Sequence, residues 1–145
     1  MREYTGKLKG GGFPGLVVVS EGAGGPARPL RPRQDLYNHS PDGFSWGYHG
    51  SGCAQLALAL LADHFAHDGG ALERARRLAG YDLAGVPESQ HADRLAVTLH
   101  QVLKRDMVAR FDQRASWRTD AMALNQWLSA VELRTQAAAA AEGGA

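Results

Sequence analysis

Two histidines near the middle of the chain have a spacing that could bind a metal ion. His64 and His67 are three residues apart, which puts two side chains on one face of a helix, and imidazole is a common zinc ligand. A zinc site needs at least a third protein ligand, and the spacing of His39, His49 and His91 does not identify one. The sequence therefore predicts no metal site and no other cofactor.

The single cysteine, Cys53, is a second candidate for chemistry. It stands at the start of a predicted helix, where the helix dipole lowers a thiol pKa, and His49 or His39 could act as its base. However, the apolar run that follows favours a small buried thiol. We therefore assign no catalytic residue, and an enzymatic role stays open.

A glycine-rich loop precedes the same helix. Gly47, Gly50, Ser51 and Gly52 could present bare amides to a phosphate at the helix N-terminus. No lysine follows the last glycine, so the loop is not a P-loop, and its spacing does not match a dinucleotide fingerprint. The alternative is that the glycines allow the loop to approach the buried helix closely.

Aromatic residues alternate through the loop that contains these glycines. Phe44, Trp46 and Tyr48 are spaced by two, so an extended backbone would place the three rings on one side. Such a row either lines the core or forms an exposed recognition surface. In the second case, Trp46 and Tyr48 would anchor a partner.

Arginines form two groups that could contact an acidic partner. Residues 1–36 contain six Lys or Arg and three acids, whereas residues 37–70 contain three acids and no Lys or Arg. Arg31 and Arg33 would lie on the same side of an extended strand, and Arg74, Arg76 and Arg77 form a second cluster. The alternative for both groups is a solvated face.

The pattern of the N-terminal third predicts a small antiparallel sheet. Short alternating or β-branched runs separated by glycine clusters predict strands at residues 4–8, 16–20 and 28–37. Pro29 and Pro32 place the third stretch at a sheet edge. The turn-rich residues 38–52 form a structured loop, named the 38–52 loop below.

The rest of the chain has helical patterns. From Cys53 to Leu61 only Gln55 is polar, which predicts a central buried helix with Ser51 as its N-cap. Further helices are predicted at residues 71–79, at 92–111 and after a cap at Thr119. The prediction is one α+β domain at residues 1–135, with about three strands, three main helices and a short extra helix. Residues 136–145 are predicted to form a flexible Ala/Gly-rich tail, into which the alanines can extend the last helix for a turn or two.

Composition excludes several classes of protein. The 145 residues are 44% hydrophobic and 21% charged with a net charge of +1, which fits neither a disordered chain nor a strongly basic nucleic-acid binder. No apolar run approaches the roughly 18 residues of a membrane span. The N-terminus has no apolar signal-like run, and one cysteine suits a reducing compartment, so we expect a cytoplasmic protein.

The motif NHSPDGFSWGY at residues 38–48, followed by GSG at 50–52 and AQLALALL at 54–61, resembles an uncharacterised family of small phage, plasmid and bacterial proteins. The resemblance extends to residues 104–108, Trp117 and residues 127–128. It implies a fold unit and a mobile-element setting and carries no activity. Cys53 stands where the family often has proline, and residues 66–91, named the 66–91 segment, are longer than the usual link.

These features together predict a non-enzymatic accessory protein that binds and modulates a larger host protein or nucleoprotein machine. An anti-CRISPR inhibitor is one concrete version. Net charge does not indicate a nucleic-acid partner, and the sequence does not fix the oligomeric state. The alternative function is a module that binds a phosphate-bearing nucleotide at the loop of residues 47–52.

Overall fold

A four-stranded antiparallel sheet forms one side of the molecule. The computed structural model describes residues 1–10, 12–22 and 24–143, so Gly11 and Ala23 of two predicted turns and the last two tail residues lie outside it. The sheet order is β3-β2-β1-β4, and every neighbouring pair is antiparallel. The strands are β1 (Glu3–Lys9), β2 (Gly12–Ser20), β3 (Ala27–Pro29) and β4 (Trp117–Asp120). The α+β class is confirmed.

The fourth strand corrects the predicted start of the last helix. Thr119 is paired with Tyr4 inside β4 and does not cap a helix. The N-terminal helical turn is capped one residue later, where the Asp120 carboxylate accepts a hydrogen bond of 2.8 Å from the N–H of Ala123. β4 is only four residues long, and pairing with a strand more than a hundred residues away stabilises it.

The third strand is shorter than the sequence predicts. Pairing stops at Pro29, and one further backbone bond joins the N–H of Leu30 to the carbonyl of Val17. Arg33 then adopts a left-handed conformation with φ 56°, and its carbonyl accepts from Leu36 in a turn. Arg31 and Arg33 therefore do not share one side of a strand, and that prediction is wrong.

Four α-helices follow the predicted order. They are α1 (Ser51–His67), α2 (Gly69–Ala79), α3 (His91–Asp106) and α4 (Ala121–Gly143), and short 3-10 turns occur at Gly80–Leu83, Glu88–Gln90 and Val108–Arg110. α3 ends five residues before the predicted end, because Met107 leaves the helical region at φ −130° and ψ −62°. Ser51 is the first residue of α1, and Gly50 occupies the N-cap, so the predicted Ser51 cap is wrong.

The central position of α1 is confirmed. Every residue from Gly52 to Ala62 is buried. Tyr4, Val17 and Val19 of the sheet and Leu95, Leu99 and Leu103 of α3 belong to the same buried cluster as its leucines. Because α1 has no solvated face along this stretch, other elements must cover it on all sides.

The alanine-rich end of the chain is helical. α4 continues through Gly143, and its residues from Leu133 onward are exposed, in agreement with the expected helical extension. Among residues 1–10, 12–22 and 24–143, none of the helices has the length and apolarity needed to cross a bilayer.

One glycine in the 38–52 loop permits a close approach between two backbones. Gly47 has φ +85°, and a Cβ there would lie 2.6 Å from the Cα of Gln113. Its N–H donates to the carbonyl of Val108 at 3.0 Å. Gly85 has a similar φ of +76° but open space around it. An alanine at Gly85 would therefore suffer only the backbone strain, whereas an alanine at Gly47 would also clash with Gln113.

We predict that Gly47→Ala destabilises the protein more than Gly85→Ala. Gly85→Ala should cost about 1–2 kcal/mol from the left-handed conformation alone, and Gly47→Ala should add roughly 1–3 kcal/mol of overpacking. Gly80 has φ −60° and no neighbour within 4 Å, so Gly80→Ala should be neutral or stabilising. Urea unfolding of the three variants measures these differences, and equal losses for Gly47→Ala and Gly85→Ala would contradict the packing argument.

Candidate functional site

Gln55, the one polar residue in the predicted buried stretch, holds the 38–52 loop against α1. Its Oε1 accepts hydrogen bonds from the backbone N–H groups of His39 (2.8 Å) and Ser40 (3.2 Å). Its Nε2 donates to the carbonyl of Pro32. Gln55 is fully buried, so its amide replaces water as the partner of three backbone groups. Gln55, the polar residue in the otherwise apolar stretch of α1, therefore has a structural role.

A histidine pair ties the same loop to α3. The Nε2 atoms of His39 and His100 are 2.8 Å apart, and His100 Nδ1 lies 2.6 Å from the carbonyl of Val97. Because that carbonyl can only accept, neutral His100 carries its proton on Nδ1, and His39 Nε2–H donates to His100 Nε2. Burial, and next the charge of Lys104, lowers the pKa of His39, and burial is also the main cause of the lowered pKa of His100. Sequence reasoning missed this pair, because 61 residues separate its members.

The aromatic row of the loop divides between core and surface. Phe44 and Trp46 are buried, and Trp46 Nε1 donates to the carbonyl of Ala115 at 3.2 Å. Tyr48 is 42% exposed, and its hydroxyl lies 3.0 Å from Ser45 Oγ. Trp46, with no exposed surface, cannot anchor a partner, so that assignment is corrected; Tyr48 stays a candidate.

The 47–52 loop uses its glycines mainly for packing. A Cβ at Gly50 would lie 2.2 Å from the Tyr48 ring, and one at Gly52 would lie 2.2 Å from Ser45 Oγ. The cleft beside the loop has a volume of about 460 Å³, and Ser51, Gly52 and Asp42 contribute to its lining. A carboxylate there opposes a phosphate, and the N–H of Gly47 is already bound to Val108. The geometry disfavours the predicted phosphate site at Gly47, Gly50, Ser51 and Gly52.

Cys53 and the two histidines considered as metal ligands, His64 and His67, have separate partners. Cys53 is buried, and Ser45 Oγ lies 3.7 Å from its Sγ. His64 is buried and bonds Asn125, whereas the exposed His67 bonds the carbonyl of Asp63, so their imidazoles have separate partners. In the part of the chain that the structure describes, no three His, Cys, Asp or Glu side chains are grouped to hold a metal ion.

A buried ion pair joins the sheet to α1. Arg2 donates to Asp63 Oδ2 from Nε (3.1 Å) and Nη2 (2.7 Å), and the Tyr4 hydroxyl donates to the same oxygen at 2.7 Å. Burial alone would raise the pKa of Asp63, but hydrogen bonds from Tyr4 and Arg2 together lower it below its ordinary value. Breaking such a pair leaves an uncompensated buried charge, so Asp63 is a structural residue.

A cleft of about 760 Å³ lies where the C-terminal end of α1 and the N-terminal end of α4 meet α2. Asn125 Nδ2 donates to Asp68 Oδ2 at 3.1 Å, so its Oδ1 accepts from His64 Nε2 at 2.9 Å. His64 Nδ1 is buried with no hydrogen-bond partner among the described atoms. Two arginines, Arg2 and Arg74, and two carboxylates, Glu21 and Asp68, line the cleft, so arginines and carboxylates are equal in number there.

Three of the five candidate arginines are held in ion pairs. Arg33 donates to both Asp35 and Asp93, and these bonds raise its pKa. Arg74 donates to Glu132 and Ser129 of α4. Arg76 donates to Glu73 and to His91 Nδ1. That all five arginines contact an acidic partner stays a prediction, but the ion pairs leave Arg33, Arg74 and Arg76 with fewer free donors.

Arg31 and Arg77 differ from the other three. Both are exposed, and neither side chain has a hydrogen bond or ion pair with any described residue. Arg77 lies opposite the buried face of α2, which is formed by Ala71, Ala75 and Ala79. These two residues retain free guanidinium groups.

The protein is a small α+β protein in which the polar side chains described above mainly form hydrogen bonds and ion pairs that hold loops and helices together. Residues 9–89, more than half of the chain, match the model of the family of unknown function DUF6166, and the chain belongs to that family. Neither a curated protein nor a solved structure matches the chain. The matched region contains the 38–52 loop, α1 and all but the last two residues of the 66–91 segment.

The buried histidines predict a loss of stability in mild acid. Burial lowers the pKa values of His39, His64 and His100 from 6.5, so below pH 6.5 the unfolded chain binds more protons than the folded chain. The free energy of unfolding should therefore be highest above pH 6.5 and fall as pH decreases through and below that value. The paired carboxylates have lowered pKa values, so their contribution is lost only below about 3.8.

Urea titrations from pH 8 to pH 5 measure this dependence. His64→Gln, which retains an N–H donor for Asn125, should reduce the slope between pH 6.5 and 5. A wild-type free energy of unfolding that stays constant over this interval would contradict the assignment of neutral buried histidines.

Proposed function

We propose that this chain is a non-enzymatic accessory protein that binds and modulates a larger protein complex through the outer face of its 66–91 segment. The observation that carries the proposal is the exposure of Tyr81. It is 77% exposed, more than any other large hydrophobic side chain in residues 1–10, 12–22 and 24–143. Tyrosine and arginine are the residue types enriched at energetic centres of protein interfaces, and the free Arg77 is four residues earlier.

The 66–91 segment is held rigidly on the rest of the fold. Arg74 fastens α2 to α4 through Glu132 and Ser129, and Asp68 caps α2 by accepting from the N–H of Ala71 at 3.0 Å. The Thr98 hydroxyl of α3 donates to Asp82 at 2.9 Å. A surface that is ordered before binding loses less conformational entropy when a partner docks.

Under this proposal the three arginines of α2 have different roles. Arg74 and Arg76 position the segment through ion pairs, and Arg77 provides the contact. Charge reversal at Arg74 or Arg76 would therefore lower the melting temperature and would not isolate binding. Arg77 is the informative position.

The setting that the motif resemblance implies, a phage or another mobile element in a bacterial cytoplasm, supports a partner from the host cell. An anti-CRISPR inhibitor is one concrete version. In that version, the partner is a CRISPR effector complex, and adding the chain lowers its cleavage of target DNA. The alternative, a nucleotide module at residues 47–52, predicts instead that nucleotides raise the melting temperature of the isolated protein.

We predict that Arg77→Glu combined with Tyr81→Ala abolishes recovery of a stoichiometric partner from host-cell lysate without lowering the melting temperature. Both side chains are exposed, so their loss should leave the core intact. Arg114→Glu is the matched control, because Arg114 is exposed and its side chain bonds no described residue. Equal recovery with wild type and the double variant, or no stoichiometric partner at all, would contradict the proposal.

A further inference from the structure

A small pocket between β3 and α1 has an excess of positive charge. Its volume is about 250 Å³, and Arg28, Arg31, Arg33 and His67 line it against a single carboxylate, Asp63. Arginines do not outnumber carboxylates in the two larger clefts, since one has two of each and the other has Asp42 without an arginine. The excess of arginine over carboxylate therefore distinguishes this pocket from the other two.

The carboxylate at the pocket is neutralised from its far side. Asp63 Oδ2 accepts from Arg2 and from the Tyr4 hydroxyl, and the side chains of Arg2 and Asp63 are only 9% and 10% exposed. Asp63 Oδ1 receives one long bond of 3.3 Å from Arg28. Arg2 also bonds Glu21, whose side chain is 67% exposed, so Arg2 is shared between a solvated carboxylate and the buried Asp63.

The three arginines differ in what they can offer to a ligand. Arg33 uses four of its five N–H donors in bonds to Asp35 and Asp93. Arg28 is half exposed, and its bond to Asp63 leaves other N–H donors free. Arg31 is exposed and has no bonded partner among the described residues, although its charge contributes to the lowered pKa of nearby Asp35.

His67 borders the pocket, and its side chain is 43% exposed. Its Nδ1 lies 2.8 Å from the carbonyl of Asp63, which fixes the ring orientation and commits Nδ1 as a donor. In a neutral ring, Nε2 is then an acceptor, so the donors for an anion come from the arginines.

We propose that this pocket binds an oxyanion, a carboxylate or a phosphate, through the guanidinium groups of Arg28 and Arg31. Guanidinium groups bind both ligands through paired, charge-assisted hydrogen bonds. The pocket lies on β3 and α1, outside the 66–91 segment, so the proposal goes beyond the partner surface described above and does not depend on it. The oxyanion is either free phosphate or an acidic side chain presented by a protein.

The test titrates purified protein at low ionic strength with inorganic phosphate, with acetate and with a hexaglutamate peptide. Arginine Nε–Hε signals in ¹H–¹⁵N spectra are the readout. We expect saturable shifts at Arg28 and Arg31, whereas Arg33, whose Nε–H already donates to Asp35, stays unchanged. A response to phosphate alone identifies a phosphoryl ligand, and a response to acetate or the peptide identifies a carboxylate.

Arg31→Gln should weaken the binding about tenfold, because one charge-assisted contact is lost. Arg31→Lys should retain part of the affinity. Arg114→Gln removes the same charge from an exposed position outside both the pocket and the 66–91 segment and is the matched control. No saturable shift with any of the three probes, or equal affinity in wild type and Arg31→Gln, would overturn the proposal. The titration uses purified protein without a partner, so its outcome does not depend on whether the lysate experiment recovers one.

Discussion

Helix α1 must bury nearly its whole surface, and the remaining structure is organised by that requirement. From Gly52 to Ala62 each residue is excluded from solvent, so the sheet, α3 and the 38–52 loop all have to cover it. The 38–52 loop differs from the sheet and from α3, because its irregular backbone does not pair its own N–H and C=O groups where it packs against the apolar helix. Gln55 solves this problem by accepting from two backbone N–H groups and donating to one carbonyl.

The same requirement explains the roles of the motif residues. Phe44 and Trp46 fill space between the loop and the sheet, where Gly15 leaves room for the Trp46 ring. His39 reaches α3, and Gly47 approaches Gln113. Residues with this many internal partners have little capacity to contact another molecule. Tyr48 is the motif tyrosine that keeps an exposed ring. The free guanidinium groups of Arg31 and Arg77 and the exposed ring of Tyr81 lie outside the motif, so both proposed binding surfaces are away from it.

Local patterns predicted the helices well because their signals are short-range. The apolar run of α1, the periodic stripe of α3 and the positions of α2 and α4 depend on neighbours within a few residues. β4 and the true end of β3 depend on pairing with distant strands, which a local pattern does not encode. For the candidate sites, the unusual Gln55 was visible in the sequence, but its partners were not. The ion pairs of Arg33, Arg74 and Arg76 likewise join residues that are mostly far apart, so a charge count alone could not separate them from Arg31 and Arg77.

Hydrogen exchange at the His39 and Ser40 amides tests most directly whether the 38–52 loop is a fixed part of the architecture. If Gln55 holds it, both amides should exchange slowly, as the buried amides of α1 do, and Gln55→Leu should remove their protection while α1 stays protected. Rapid exchange of both amides in the wild-type protein would show that the loop is not held against α1, and the division between an architectural motif and functional outer surfaces would fail.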